Sequence, residues 1–299
     1  MSFRAHYRGG MTSTTAANQP TAQTPADLRI WVNGTLYPDP ETARISAADH
    51  GLVVGDGVFE TLKVTPDGPF TVGRHLARLT RSARLLGLPD PDHDQLRAGI
   101  DAVLRDRTFE HGKIRITYTG GRGPLGSQQA FGPPTLVVAA EPMELPPATT
   151  AIVTAPWTRN ERGALSGVKS ISYAENVRAL AYAAERGATE AVLINNAGQV
   201  CEGTGSNIFF VFGEEIITPT LEAGPLAGIT RGLVLEWCDV RERDLTEEEA
   251  RRADEVFITS SARDVQGVHR WDDQEFPPGR RTAEVAKIFA DRSAKNLEP

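Results

Sequence analysis

A proline-rich segment near the middle of the chain separates two stretches that each mix strand and helix patterns. Residues 141–148 contain three prolines in eight positions, which is typical of a linker. At 299 residues the chain is long enough for two ordinary domains. The sequence therefore predicts an extension at 1–27, a small α+β domain at 28–143, a linker at 144–149 and a large α+β domain at 150–299.

Short-range patterns predict strands and helices in both halves. In the first half, Asn33-Gly34 between alternating apolar residues predicts a hairpin, and a second hairpin is expected at 58–72. Helical spacing of apolar residues predicts helices at 75–86 and 94–107, and strands are expected at 113–119 and 135–140. In the second half we expect strands at 150–155, 190–195, 207–212, 215–218 and 254–259, and helices at 173–186, 230–237, 247–253 and 282–295. Ser172 with Glu175 predicts a capping box for the first of these helices.

Composition argues against several classes of function. The content of hydrophobic residues (40%) and charged residues (24%) is that of an average soluble globular protein. A net charge of −7 argues against a broad nucleic-acid surface, and no run of residues approaches the length of a membrane span. The only cysteines, Cys201 and Cys238, form neither a disulfide framework nor a metal-ligand pattern. We expect a cytoplasmic protein without a bound metal.

The first 26 residues differ from the rest of the chain. They contain no acidic residue, and Ser, Thr, Ala, Gln and Pro are frequent from Met11 to Ala26. Such a segment cannot bury enough apolar surface to offset chain entropy, so disorder is expected. Organelle transit peptides share the lack of acids, which leaves that alternative open.

One lysine carries the clearest chemical signal. Lys169 lies just ahead of a predicted helix, among the uncharged residues Gly167, Val168, Ser170 and Ile171. Burial in such surroundings lowers the pKa of an amine, and the neutral amine is a nucleophile that can form a Schiff base. The alternative is a solvated lysine on the surface.

Two later segments complement this lysine. Glu202–Asn207 supplies a carboxylate followed by Gly, Thr and Ser residues, which allow close backbone approach and offer hydroxyl donors. At Gly228 a helix is expected to begin, and the first N–H groups of a helix suit a phosphate. Amine, carboxylate and anion site together indicate pyridoxal 5′-phosphate, which needs all three. Glu202 has the alternative of an ordinary polar turn residue.

Five motifs also occur in an order that resembles a known family. They are Asp49–Glu60, His75–Leu79, Lys169, Glu202–Asn207 and Gly228–Arg231. Together they resemble the class IV pyridoxal-phosphate enzymes of fold type IV, which include aminodeoxychorismate lyases, branched-chain aminotransferases and D-amino acid aminotransferases. The resemblance covers about residues 28–270. It implies a fold like that of D-amino acid aminotransferases, with two α+β domains, the cofactor between them, and a homodimer.

The resemblance implies a role for each matching residue. Lys169 resembles the Schiff-base lysine and catalytic base, and Thr61 a polar catalytic residue. Cofactor contacts are implied at Arg78, Lys169, Glu202, Ser206, Asn207, Ile229, Thr230 and Ser261. Substrate contacts are implied at Glu60, Arg115, Arg122 and Ala262. Arg78 lies off the apolar stripe of its helix, so a solvated arginine is the alternative there.

The glycine-rich loop after the strand at 113–119 bears on the substrate. Its Gly120-Gly-Arg-Gly123 resembles the loop of aminodeoxychorismate lyases and lacks the histidine found in D-amino acid enzymes. An arginine in such a loop suits a carboxylate, and aminodeoxychorismate carries two. We therefore expect a lyase of folate biosynthesis that forms 4-aminobenzoate and pyruvate. The alternative for Arg122 is a solvated loop charge.

The main alternative is a class IV aminotransferase for branched-chain L-amino acids, D-amino acids or amines. Both activities take a small substrate with amine and carboxylate groups, and both share every cofactor contact. In either one, Lys169 would remove the proton from the carbon that bears the nitrogen. In the lyase, Lys169 or Thr61 would give a proton to the leaving group. A third class is a cofactor-bound regulatory protein without turnover.

Overall fold

The computed structural model describes residues 27–277 and 279–299, and a β-sheet forms the centre of each half of the chain. The last strand of the first sheet ends at Pro142, and the first strand of the second begins at Thr149. The predicted linker overlaps this interval. The predicted disorder of residues 1–26 concerns a segment outside the described residues.

The first half builds a six-stranded sheet with helices on one side. Its strands are β1 (Arg29–Val32), β2 (Thr35–Tyr37), β3 (Gly57–Thr65), β4 (Gly68–Pro69), β5 (Gly112–Thr119) and β6 (Thr135–Pro142). Its α-helices are α1 (His50–Val53), α2 (Val72–Leu86) and α3 (His93–Leu104). The strands lie in the order β2-β1-β6-β5-β3-β4, and all pairs are antiparallel.

Local signals in this half are confirmed with small shifts of boundary. At the predicted hairpin, Asn33 and Gly34 have φ angles of 46° and 96°, as a type I′ turn requires. Helix α2 begins at Val72, one turn earlier than predicted, and Gly87 ends it with a φ of 80°. The apolar stripe of α2 is fully buried against the sheet and contains Leu76, Leu79 and Ala83.

The second half builds a larger, mixed sheet. Its strands are β7 (Thr149–Arg159), β8 (Glu190–Asn195), β9 (Val200–Gly203), β10 (Asn207–Phe212), β11 (Glu215–Thr218), β12 (Arg241–Glu242), β13 (Glu255–Ser260), β14 (Asp264–Trp271) and β15 (Gln274–Glu275). Its α-helices are α4 (Ala174–Ala184), α5 (Ile229–Trp237), α6 (Glu247–Ala250) and α7 (Arg280–Ser293). The strands lie in the order β12-β11-β10-β13-β14-β7-β8-β9, and β15 pairs with β14.

Both faces of this sheet are covered, because side chains alternate along its strands. Phe209 and Phe257 are fully buried in the cluster that includes residues of α5 and α7. Phe210 and Trp271 belong to a separate cluster that includes Ala250 of α6. Within residues 27–277 and 279–299, no helix has the length and apolar character that crossing a membrane requires.

The capping box predicted at Ser172 and Glu175 is wrong. Helix α4 begins after Tyr173, and no side chain caps it. The Ser172 hydroxyl instead donates to the carbonyl of Gly55 at 3.0 Å, because this segment runs against the first half of the molecule. Strands β9, β12, β14 and β15 and the short helix α1 were not predicted.

Candidate active site

The segment that carries Lys169 pairs with the first sheet, although it belongs to the second half of the chain. The N-terminal part of β3 has β5 on one side only, since β4 pairs with its last two residues. Residues 169–171 occupy the other side: Phe59 N donates to the Lys169 carbonyl at 2.9 Å, and Ile171 N to the Gly57 carbonyl at 2.9 Å. This pairing holds Lys169 at the boundary between the two sheets.

A cavity of about 790 Å³ lies at this boundary. Its wall brings together eleven of the predicted site residues, namely Thr61, Arg78, Arg115, Lys169, Glu202, Ser206, Asn207, Ile229, Thr230, Ser261 and Ala262. These residues come from both halves of the chain and span about 200 positions of sequence. Glu60 and Arg122 are not on the wall.

The environment of Lys169 favours its neutral amine. Burial lowers the pKa of Lys169 to about 8, and the positive charge of Arg78 adds to this effect. The carboxylates of Glu60 and Glu202 act in the opposite direction but do not cancel it. The Lys169 Nζ lies 4.4 Å from the centre of the Phe59 ring, so this ring contributes part of the buried surroundings.

Glu202 lies on the same wall, at the end of β9. One of its carboxylate oxygens accepts a hydrogen bond from Leu226 N at 2.9 Å. Burial raises the pKa of Glu202, while the positive charge of Arg159, the Leu226 hydrogen bond and Lys169 favour the ionised form. The carboxylate is therefore oriented by the backbone and stabilised by the charge of the partly buried Arg159.

Groups that suit an anion lie together where α2 meets the start of α5. Arg78 Nη1 donates to the carbonyl of Ala227 at 2.9 Å, which places its guanidinium beside the first residues of α5. No side chain caps this helix at Gly228, so its first N–H groups remain available. A guanidinium next to a helix N-terminus suits a phosphate.

The predicted substrate role of Glu60 is corrected by its position. Side chains alternate along β3, so Phe59 and Thr61 face the cavity while Glu60 faces α2. The Glu60 carboxylate is fully buried and accepts hydrogen bonds from Arg78 Nε at 2.7 Å and Nη2 at 2.6 Å. Burial alone would raise the pKa of Glu60, but Arg78 and His75 lower it to about 2. Glu60 therefore orients Arg78.

Within a single chain, Arg122 does not reach the cavity wall, in contrast to the predicted substrate role. Its loop folds back over α1, where Arg122 pairs with Asp49 in an isolated bridge and its side chain is exposed. Asp49 holds this loop by accepting hydrogen bonds from the hydroxyls of Thr119 at 2.7 Å and Thr135 at 2.6 Å. The His50 ring lies 2.9 Å from the Pro124 carbonyl. These contacts direct Arg122 away from the cavity wall.

Two wall residues, Arg159 and Thr259, were missed by the sequence analysis. Arg159 Nη2 donates to Asn176 Oδ1 at 3.1 Å. Its Nε and the hydroxyl of Thr259 are buried and have no hydrogen-bond partner among the described residues. A bound polar ligand would satisfy both groups. A lone arginine at the end of a strand carries no local signal, whereas Thr259 directly precedes the serines already noted in the sequence.

The cavity residues fit pyridoxal 5′-phosphate. Lys169 would offer the amine for its aldehyde, and Glu202 the carboxylate for its ring nitrogen. Arg78 and the start of α5 would hold its phosphate. The unpartnered polar atoms on the wall agree with a ligand of this polarity. Within the described parts of the chain, no cluster of three or more His, Cys, Asp or Glu could hold a metal ion.

Comparison with known proteins identifies the family that the sequence motifs resemble. The family model described as amino-transferase class IV matches residues 57–271. The chain is 34% identical to a putative branched-chain-amino-acid aminotransferase of Methanocaldococcus jannaschii, over 89% of this chain and 95% of the relative. It is 30% identical to a D-alanine aminotransferase of Bacillus licheniformis, with 84% and 91% covered. A bifunctional aminodeoxychorismate lyase / D-amino acid transaminase of Mycobacterium tuberculosis is 28% identical, with 84% and 93% covered.

Solved structures agree with these relatives. A branched-chain aminotransferase from Thermoproteus uzoniensis, crystallised with norvaline, superposes with a TM-score of 0.82 at 27% identity, over 88% of this chain and 93% of that one. A putative 4-amino-4-deoxychorismate lyase from Legionella pneumophila gives 0.79 at 26% identity, over 86% and 97%. The predicted α+β fold of type IV and the cofactor are thereby confirmed. The chain belongs to the class IV aminotransferase family, whose enzymes depend on pyridoxal 5′-phosphate.

Proposed function

We propose that this enzyme is an aminotransferase for α-amino acids, with branched-chain L-amino acids as its donors. The sequence alone favoured a lyase, but the relatives named above support the aminotransferase alternative better. The observation that carries the proposal is the cavity whose wall holds Lys169, with its lowered pKa, together with Glu202 and an apolar surface. That surface consists of Phe59, Leu165, Val168 and Ala262.

The chain's own residues would bind the substrate and move its proton. When bound, the cofactor supplies the electron sink for the carbon that bears the amine. Lys169 Nζ takes the proton from that carbon, because its pKa of about 8 keeps a useful fraction of neutral amine at neutral pH. The Leu226 N–H orients the Glu202 carboxylate, which would be the partner of the ring nitrogen of the cofactor.

Arg115 is the group best placed to bind the substrate carboxylate. It lies on the cavity wall, directly opposite Thr61 in the β3–β5 pair. Its guanidinium lies 3.9 Å from the centre of the Phe59 ring, and burial lowers the pKa of Arg115 without removing its charge. A planar guanidinium held against a ring can bind a carboxylate through two parallel hydrogen bonds. The apolar donor side chain would then lie against Phe59 and Leu165.

We also propose that the enzyme works as a homodimer. Large apolar side chains are exposed on the single chain, with Leu52 at 65%, Phe131 at 72% and Leu125 at 81%. Leu52 lies on α1 and the other two lie on the loop that folds back over α1, and an exposed apolar patch is typical of surfaces that bind another protein. Light scattering of the purified protein should give twice the mass of one chain. A monomer at micromolar concentration would contradict this part of the proposal.

The direct test supplies the cofactor-loaded enzyme with L-leucine and 2-oxoglutarate and follows formation of the branched keto acid. We expect turnover, and we expect none from the Lys169→Ala variant, which lacks the base. D-Alanine replaces L-leucine in a parallel assay. Turnover of D-alanine with none of L-leucine would contradict the proposed donor and retain the aminotransferase. Failure of both donors would contradict the aminotransferase.

A second candidate, aminodeoxychorismate lyase, is favoured by Thr61 and by two of the similar proteins. Thr61 faces the cavity, where its hydroxyl could give a proton to a leaving group. The assay for this activity supplies aminodeoxychorismate without any keto acid and follows 4-aminobenzoate. If both activities occur, Thr61→Val should lower the lyase rate and leave the aminotransferase rate nearly unchanged.

A further inference from the structure

A buried carboxylate outside the proposed chemistry lies behind the cavity wall. Glu190, the first residue of β8, is 2% exposed. Its Oε1 accepts hydrogen bonds from Thr204 N at 2.8 Å, from the Thr204 hydroxyl and from Ala191 N at 3.1 Å. Its Oε2 accepts from the Ser206 hydroxyl at 2.8 Å and from Gly205 N at 3.3 Å. Four of these five donors belong to one short loop.

That loop connects two segments that border the cavity. Thr204–Ser206 runs from the end of β9, where Glu202 lies, to the start of β10 at Asn207. The loop is tightly packed, because a side chain at Gly203 would lie 2.4 Å from the Ser206 hydroxyl and 2.9 Å from Glu190 Cδ. Its course therefore depends on the position of the Glu190 carboxylate.

The same loop is tied to the helix that follows Lys169. The Thr204 carbonyl accepts hydrogen bonds from the Tyr173 hydroxyl at 2.9 Å and from Asn176 Nδ2 at 2.6 Å. Displacement of the loop would disturb these contacts as well as the strand that carries Glu202. Glu190 therefore acts on the helix side of the cavity through this loop, because the Thr204 carbonyl accepts the hydrogen bonds from Tyr173 and Asn176.

We infer that Glu190 is a positioning residue, which holds the Thr204–Ser206 loop so that Glu202 and Asn207 meet the cofactor. The carboxylate forms no ion pair among the described residues, and the loop's N–H and hydroxyl groups stabilise it. A glutamine of the same shape would turn an amide NH₂ group toward hydrogen-bond donors. At least one of the loop's hydrogen bonds would then be lost, and the loop would shift. This inference rests on the cofactor and is independent of the amino donor.

Glu255 provides a matched control for a purely structural effect. Its carboxylate accepts hydrogen bonds from Arg281 N at 3.1 Å, and from Thr282 N at 2.7 Å and the Thr282 hydroxyl at 2.8 Å. It therefore caps helix α7 with a similar set of donors, but it does not border the cavity. Glu190→Gln and Glu255→Gln should each lower the melting temperature, because each variant loses a hydrogen bond to a carboxylate that is buried in Glu190 and partly buried in Glu255.

The test compares cofactor binding in the two variants. Each apo protein is titrated with pyridoxal 5′-phosphate, and the dissociation constant and the visible circular dichroism of the bound cofactor are measured. Glu190→Gln should weaken binding by about tenfold or more and change the dichroic band, as expected when a charge-assisted hydrogen bond is lost. Glu255→Gln should match the wild type within about twofold. A Glu190→Gln variant with wild-type affinity and dichroism would overturn the inference.

A second variant keeps the test decisive if Glu190→Gln does not fold. Thr204→Val leaves Glu190 in place and removes one hydroxyl donor from the loop. It should weaken cofactor binding in the same direction by a smaller factor, and unchanged binding would overturn the inference. Neither result depends on the identity of the amino donor. A wrong assignment of the donor can therefore be distinguished from a wrong assignment of Glu190.

Discussion

The lowered pKa of Lys169 can be tested directly and quantitatively. Burial, with a contribution from the charge of Arg78, lowers it from 10.5 to about 8. That difference corresponds to about 3 kcal/mol in favour of the neutral amine. At pH 7 the neutral form should be roughly 300 times more abundant than for an ordinary lysine. The folded apo protein should therefore contain one unusually nucleophilic lysine.

The assay is competitive acylation of the apo protein across a pH series, with each lysine quantified by peptide mass spectrometry. Lys287, an exposed lysine on α7, is the reference for changes in reagent reactivity. The rate at Lys169 should rise with pH and reach its midpoint near 8. Arg78→Gln should move the midpoint upward, because it removes a positive charge and leaves the Glu60 carboxylate in place. A wild-type midpoint near 10.5, or no upward movement in Arg78→Gln, would refute the reasoning.

Three further substitutions test other contacts of the site. Glu202→Gln should reduce turnover by orders of magnitude and largely retain the cofactor, because it removes the negative partner of the ring nitrogen; steady-state rates and cofactor absorbance check this. Glu60→Gln should weaken cofactor affinity by about tenfold, because Arg78 loses a charged partner. Titration of the apo protein with the cofactor measures this affinity, and a wild-type value would show that Glu60 does not orient Arg78. Gly228→Ala should lower the melting temperature, because its Cβ would lie 1.9 Å from Asn207 Oδ1. An unchanged melting temperature would show that Asn207 or the backbone at Gly228 moves to make room for the methyl group.

Local sequence signals predicted most elements because their causes are local. The turn at Asn33-Gly34 needs positive φ at both positions, which these two residues tolerate well. Gly87 ends α2 for the same reason. Strand β14 was missed because Asp264–Trp271 contains glycine, histidine and arginine and lacks a clear alternation. It becomes a strand because β13 and β7 flank it on both sides and satisfy its backbone.

The site could be predicted as a set of residues but not as an arrangement. The sequence indicated Lys169, Glu202 and the start of α5, and the structure places all three on one cavity wall. The sequence could not show which face of β3 packs against α2. Glu60 was therefore assigned to the substrate, although it orients Arg78. Arg122 was assigned to the substrate from the composition of its loop. Only the contacts of Asp49 and His50 show that this loop folds over α1 and leaves Arg122 off the cavity wall.

The sequence by itself determined the family, the cofactor and the identity of eleven residues on the cavity wall, because each depends on a residue type at a position within a short motif. Only the tertiary structure decided how these groups meet. Lys169 lies at the boundary of the two sheets because residues 169–171 complete the open side of β3, more than 100 positions earlier in the chain. Such a pairing leaves no local signal, since its energy comes from backbone groups that any sequence carries. The pKa of Lys169 has the same origin, because its burial and its neighbours Arg78 and Glu202 exist only in the folded chain.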